Sequence, residues 1–223
     1  MKNFYAAFRF GLLCALTVVF AHCKKEKEEI TTPKWNYSTF TDIRDGKTYK
    51  SIKIGSQVWM AENLAYKTPS GSSYSYDDIA IGAKYGRLYT WEAALQAVPA
   101  GWHLPTDAEW KQLEIHLGMN ESDADKTDSR GTGEGGKLKA TMGWPEEGNG
   151  TDEVGFLAYP GGFFLANSIE FMALDWYGYW WTSTESNNST AWFRLLVNAN
   201  SRIVRNISFK EDGFSVRCIK NQN

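Results

Sequence analysis

Residues 105–118 read PTDAEWKQLEIHLG and carry the strongest local signal in the chain. Thr106 stands at an N-cap position with Glu109 three residues on, the pattern of a capping box in which hydroxyl and carboxylate each satisfy a free backbone amide. Asp107 in the first turn complements the helix dipole, and Gly118 stands where a C-cap belongs. Trp110, Leu113 and Leu117 share one stripe at helical spacing. The stretch therefore predicts an amphipathic helix whose apolar face packs against a sheet.

On its N-terminal side, Tyr89–Val98 (YTWEAALQAV) predicts a second helix, ended by Pro99 and Gly101. Asp45-Gly46 signals a two-residue hairpin between Phe40–Ile43 and Tyr49–Ile54, and Gly55-Ser56 turns the chain into QVWMAENL. Residues 67–84 are rich in Ser, Gly, Tyr and Asp and read as a loop. On its C-terminal side, residues 119–153 show little periodicity and read as an irregular insert, a feature that is usually functional or poorly ordered. FLAYPGGFFL and GYWWTSTES follow, then three alternating strands at Ala191–Asn198, Ile203–Phe209 and Phe214–Ile219, which imply an antiparallel meander. Helices early and strands at both ends predict an α+β fold with a mainly antiparallel sheet.

Composition bounds the function. The chain of 223 residues is 43% hydrophobic and 15% aromatic, with ten Trp, which excludes a disordered or low-complexity protein. A formal charge of -2 and no basic stripe argue against nucleic acid as a partner. Lys2 and Arg9 precede an apolar run from Phe10 to Ala21, too short for a bilayer core of about 20 residues. That run stops at Cys23, followed by KKEKEE, and so resembles a bacterial lipoprotein signal. The expected organisation is a signal peptide over 1–22, an acylated Cys23, a charged tether over 23–36 and one domain over 37–223. A plain signal peptide cut elsewhere, or an uncleaved anchor, is the alternative. The tether is similar to the acidic export tags of Bacteroidetes-type lipoproteins, which implies an outer-membrane anchor facing the exterior; a solvated linker is the plainer reading. The membrane is then a partner through the lipid alone.

Chemistry-bearing residues are sparse. Cys14 lies in the leader and Cys23 at the lipid site, so Cys218 has no partner for an internal disulfide. Phe214, Val216 and Cys218 share one strand face, which makes the thiol a small hydrophobe rather than a nucleophile. His103 and His116 have no third ligand nearby in sequence, and His103 in the WHLP segment reads as a hydrogen-bonded structural histidine. Asp123, Asp125 and Asp128 suggest calcium, but the EF-hand glycine position holds Asp128, so a solvated acidic loop is preferred. Gly131–Lys137 (GTGEGGK) lacks the Ser or Thr and the preceding strand of a phosphate loop.

Several ordered segments together carry a family resemblance. Ile54–Tyr66 (IGSQVWMAENLAY), YTWEAA with PAGWHLPTDAEW (Tyr89–Trp110), Gly148–Gly162 (GNGTDEVGFLAYPGG), WWTSTE (Trp180–Glu185) and GFSVRCIK (Gly213–Lys220) resemble the Fibrobacter succinogenes major paralogous domain. These are secreted and lipid-anchored bacterial proteins without an established activity. HLPTDAEW is also similar to the helix start of formylglycine-generating proteins. That likeness implies a C-type-lectin-like fold: two helices on small, mainly antiparallel sheets with a long irregular loop region. The oxidase chemistry of that group needs a pair of cysteines for copper, and Cys218 stands alone, so neither that activity nor a cofactor is expected. In the relatives a Cys before the PxGWHLP segment commonly pairs with the terminal-strand Cys. Val98 occupies that place here, and a lost disulfide costs about 2–5 kcal/mol.

Binding is what remains. Aromatic faces stack on the apolar C–H faces of sugar rings while polar neighbours supply hydrogen bonds. Trp59, Trp91, Trp102 and Trp110 sit inside regular elements and read as core; Trp180 and Trp181 are expected to divide between core and surface. Trp144 in MGWPEEGNG and Trp176 with Tyr177 are the expected exposed contacts, joined by Asn149, Asp152 and Tyr179. The functional expectation is a non-enzymatic, surface-anchored module that recognises a glycan or a surface protein through its irregular region. A scaffold component of a surface assembly is the alternative, and an enzyme of unknown type the remote one.

Overall fold

The structure, a computed structural model, describes residues 35–73, 75–145 and 147–222. The expected leader over 1–22, the acylation of Cys23 and most of the tether lie outside the described residues. Among the described residues no helix is long and apolar enough to cross a membrane.

The strands β1 (Ser38–Thr41), β2 (Thr48–Ile54) and β3 (Gln57–Met60) come first, followed by β4 (Ser72–Ser73), α1 (Ile79–Tyr85) and β5 (Leu88–Tyr89). Next are α2 (Trp91–Ala97), β6 (Trp102–His103), α3 (Asp107–His116), α4 (Glu121–Ala124), β7 (Asp128–Arg130) and α5 (Glu134–Leu138). The last third is strand-rich: β8 (Gly161–Leu165), β9 (Glu170–Leu174), β10 (Tyr177–Glu185), β11 (Thr190–Val197), β12 (Ile203–Phe209), β13 (Phe214–Ser215) and β14 (Ile219–Lys220). The result is a mixed α+β fold with mainly antiparallel sheets. One sheet, ordered β1-β2-β3-β14-β6, joins the two ends of the domain. The other runs β4-β5-β13-β10-β11-β12-β7, with β8 beside β10 and β9 beside β8.

Local signals account for α3. The Thr106 hydroxyl accepts the Glu109 amide at 3.1 Å and the Glu109 carboxylate accepts the Thr106 amide at 2.8 Å, closing the capping box. Gly118 follows the cap at φ 111, a conformation that glycine alone adopts without strain. Of the expected meander only the pairing of Ala191–Asn198 with Ile203–Phe209 is present, as β11-β12. The third strand of the meander is β10 on the other side of β11 and not Phe214–Ile219, with Trp180, Arg194 and Arg205 in register across β10-β11-β12.

Four expectations need correction. Asp45-Gly46 does not make a two-residue hairpin: the loop spans 42–47, because Asp42 grips Arg44 at 2.6 Å and Arg44 donates to the Ala97 carbonyl at 2.6 Å. The stretch read as a loop over 67–84 contains most of α1, whose N-cap Asp78 accepts the Ala80 amide at 2.7 Å. Together with α2 and α3 this makes, among the described residues, three helices of seven or more residues where two were expected. Residues 119–153 hold α4, β7 and α5, since buried Glu114 on α3 draws Arg130 of β7 inward. Finally, Phe214–Ile219 is not one strand. It crosses from β13 to β14, and between them the carbonyls of Val216 and Cys218 accept the Leu64 and Met60 amides, each at 2.9 Å.

Two apolar clusters form the interior, and β10 lies between them. Trp181 belongs to one with Trp91, Phe214 and Cys218; Trp180 belongs to the other with Trp59, Trp110, Trp144 and Phe156. Neither Trp180 nor Trp181 reaches the surface, against the expected division, because both faces of the strand are covered. Trp59, Trp91, Trp102 and Trp110 are buried as expected. Cys218 is buried and unpaired at the cluster that Val98 also borders, and burial pushes its thiol well above the usual range.

Five buried ionic side chains lock α3 to the meander. Asp107 accepts from Arg194 at 2.8 Å and from Arg205 at 2.8 and 2.9 Å, while Glu114 accepts from Arg194 at 2.6 Å and from Arg130 at 2.7 and 3.0 Å. Burial works against the charged form of Asp107, but the hydrogen bonds and charge of Arg205 and Arg194 overcome it and hold the carboxyl below its ordinary value. Breaking such a buried set from one side leaves an uncompensated charge and costs about 3–5 kcal/mol. Asp107→Asn and Glu114→Gln should each lower stability by that order in denaturant melts at pH 7. Because the folded Asp107 titrates below its unfolded value, its contribution is complete above about pH 5 and is lost as pH falls toward the folded pKa. The acid limb of the stability curve should therefore flatten in Asp107→Asn, as read by urea unfolding at stepped pH.

Candidate functional site

The irregular segment from Lys139 to Tyr159 is stitched to its surroundings by the main chain. Ala140 and Ala158 exchange hydrogen bonds with Ala158 and Leu138, the Gly150 amide reaches the Ala140 carbonyl, and the Asp152 amide reaches the Lys139 carbonyl, all at 2.9–3.0 Å. The Lys139 side chain is buried, and its ammonium donates to the carbonyls of Gly148 (3.2 Å), Val197 (2.5 Å) and Asn200 (2.9 Å). Burial pulls its pKa down to about 8.

This stitching decides the fate of the residues expected to bind. Trp144 is 4% exposed rather than displayed. Its indole N–H donates to the Ala158 carbonyl at 2.9 Å and its ring lies 4.5 Å from the Lys139 ammonium, so it fastens the segment from beneath. Asp152 is buried as well and accepts the Leu157 amide at 3.0 Å. Asn149 is exposed, with its Oδ1 accepting the Trp144 amide at 3.0 Å. Tyr179 is half-buried and packs against Phe163, Phe193 and Phe214, with ring centroids 4.7–5.5 Å away. Tyr177 is half-buried beside it, 6.4 Å between centroids. Trp176 alone of the expected tryptophans is exposed, at 42%, on the turn between β9 and β10.

A polar cleft of about 130 Å³ is lined by Lys47, Lys50, Glu62, Lys84, Leu157 and Tyr159, together with buried Asn63. Trp176 and the cleft are tied through Asp175: the Tyr85 phenol donates to the Asp175 carboxylate and accepts from the Lys84 ammonium at 2.5 Å. Behind the cleft, Arg217 is fully buried. Its guanidinium donates to Asn63 Oδ1 at 2.9 Å, to the Met60 carbonyl at 3.1 Å, to the Leu157 carbonyl at 3.2 Å and to the Phe156 carbonyl. Burial lowers its pKa to about 10. Asn63 also accepts from the Trp180 indole at 2.9 Å and donates to the Tyr85 carbonyl at 2.9 Å. Burial, then the Asp152 charge, push the Tyr159 phenol above its ordinary value.

The cleft was missed from sequence. Lys47 and Lys84 are far apart in the chain, and nothing local marks them as neighbours. Arg217 offered a signal, a charged side chain inside the apolar run FSVRCI. The weak calcium trio does not converge: Asp123 meets Lys126 at 2.6 Å, Asp125 meets Lys111 at 2.7 Å, and Asp128 meets Asn206 at 2.8 Å. Among the described residues no group of three His, Cys, Asp or Glu side chains is arranged to hold a metal ion. His103 is bracketed by Glu109 at 2.8 Å and Asn221 at 2.7 Å.

The model of one family, the Fibrobacter succinogenes major domain, matches residues 52–220. No curated protein and no solved structure matches the chain.

A buried indole with a satisfied N–H is a structural anchor. Trp144→Ala should lower stability by about 3–5 kcal/mol in denaturant unfolding, and hydrogen exchange should accelerate at the Gly150 and Asp152 amides.

Proposed function

The chain belongs to the Fibrobacter succinogenes major domain family, and on that premise we propose that it is a non-enzymatic, surface-anchored module that recognises a glycan. The observation that carries this reading is the exposed Trp176, whose neighbour Asp175 is joined through the Tyr85 phenol to Lys84 of a polar cleft. An indole face takes the C–H face of a sugar ring, and lysine, glutamate and tyrosine side chains next to it supply donors and acceptors. A C-type-lectin-like arrangement fits the pairing of the terminal strands in one sheet, with the irregular segment carried between them. Export and acylation of Cys23 would display this face outside the cell, on the outer membrane.

Glycan-array binding of the full-length protein tests the role. Saturable binding is expected, reduced about tenfold in Trp176→Ala by loss of the stacked ring, with an unchanged melting temperature. A scaffold role has one observation in its favour, the exposed apolar side chains of Tyr76, Ile79, Ile169 and Met172. Absence of glycan binding together with stoichiometric co-purification of surface proteins would favour it. The anchor has its own test: metabolic palmitate label should disappear in Cys23→Ser, and a label that persists defeats the lipoprotein reading.

A further inference from the structure

The charge of the cleft narrows the class of glycan. Lys47 and Lys50 stand on one wall and Lys84 on the other, and among the described residues none of the three ammonium groups has a carboxylate within ion-pairing distance. Lys47 and Lys50 lie over the rings of Tyr49 and Tyr37, at 5.3 and 5.6 Å, while Lys84 donates to the Tyr85 phenol. The acids nearby are each engaged by a neutral donor of the chain. Glu62 takes the Lys50 amide at 2.7 Å, Asp152 takes the Leu157 amide, and Asp175 takes the Tyr85 phenol. The Tyr159 phenol has no hydrogen-bond partner among the described residues. Three ammonium groups and the single Glu62 carboxylate around a space of about 130 Å³ leave its lining net positive, and an anion between the lysines relieves their mutual repulsion and gains their donors. The space accommodates one charged group and part of its ring, not an oligosaccharide. Gly143 lies close to both the Tyr159 ring and the Lys84 ammonium, and Lys84 leads through Tyr85 to Asp175, the neighbour of Trp176.

We propose that this cleft is the subsite for an oxyanion carried on a sugar, a uronic-acid carboxylate or a sulfate ester, held by Lys47, Lys50, Lys84 and Tyr159 while Trp176 stacks on the adjoining ring. The inference rests on the glycan reading above and names its ligand class. The two sources share one chemistry, and the probes separate them.

Titration calorimetry of the full-length protein with oligogalacturonate, chondroitin sulfate oligosaccharide and neutral cellohexaose tests it. One or both acidic probes should bind about tenfold more tightly than the neutral one and weaken as salt is raised; the stronger of the two identifies carboxylate or sulfate. Lys50→Gln and Lys84→Gln should each weaken the acidic probe about two- to five-fold and leave cellohexaose unchanged, whereas Lys220→Gln on distant β14 changes neither. Equal binding of acidic and neutral probes, or lysine variants that bind the acidic probe normally, overturns this inference and leaves glycan recognition standing. Failure of all three probes, with a positive array for none, overturns the recognition role itself. Melting temperatures of the two exposed-lysine variants should match the parent, which separates lost binding from lost folding.

Discussion

The structure depends on one strand having to be covered on both of its faces. Adjacent residues of a strand point in opposite directions, so Trp180 and Trp181 of β10 demand a core on each side. One cover comes from α2, β13 and the aromatic side chains around Phe214; the other comes from α3 and from the irregular segment through Trp144 and Phe156. Large indoles bring a polar N–H with them, and burying it without an acceptor is costly; Trp110 bears that cost, and the others around β10 do not. Trp180 uses Asn63, Trp181 uses the Tyr89 carbonyl, Trp91 uses the Thr182 carbonyl and Trp144 uses the Ala158 carbonyl. A segment without helix or strand periodicity therefore belongs to the interior on its underside, and only its outer side faces solvent.

Buried cations serve two different purposes here. Arg130, Arg194 and Arg205 meet Asp107 and Glu114, and their burial is compensated by charge. Arg217 and Lys139 meet carbonyl oxygens instead. Irregular backbone presents carbonyls that no helix or sheet ladder takes up, and a buried carbonyl without a donor is costly. A cationic side chain with several N–H groups satisfies a number of them at once. That both pKa values fall, to about 8 and about 10, reflects the desolvation that remains after this exchange. The outcome is an irregular segment several of whose inward carbonyls have donors.

What could be read from sequence was what is decided locally. The α3 capping box and the β11-β12 hairpin involve partners a few residues apart or one turn away, and both stood out, whereas β10 took the place in the meander that the terminal strand was expected to fill. Helix α1 did not, because its Asp78 cap is embedded among Ser, Gly and Tyr residues whose composition resembles a loop. The break between β13 and β14 was invisible for another reason: the chain passes from one buried sheet into another, so apolar alternation continues across the crossing. Trp144 was misplaced because its neighbours Gly143, Pro145 and Gly148 speak for exposure, while its burial is required by a strand more than thirty residues later. The lysine cleft is tertiary in the same sense, assembled by the packing of α1 against the residues that follow β3.

The position of Trp176 follows from the same constraint that buries the other tryptophans. Its carbonyl accepts the Asn198 amide at 3.0 Å and the neighbouring Asp175 amide reaches the Pro160 carbonyl at 2.9 Å, so the turn is pinned from two sides. Turning it inward would require breaking both of these main-chain hydrogen bonds. The interior thus holds an apolar ring at the surface against the hydrophobic drive to bury it. A ring fixed in this way loses little freedom on meeting a ligand, and the binding energy of a small contact is conserved rather than spent on ordering the site.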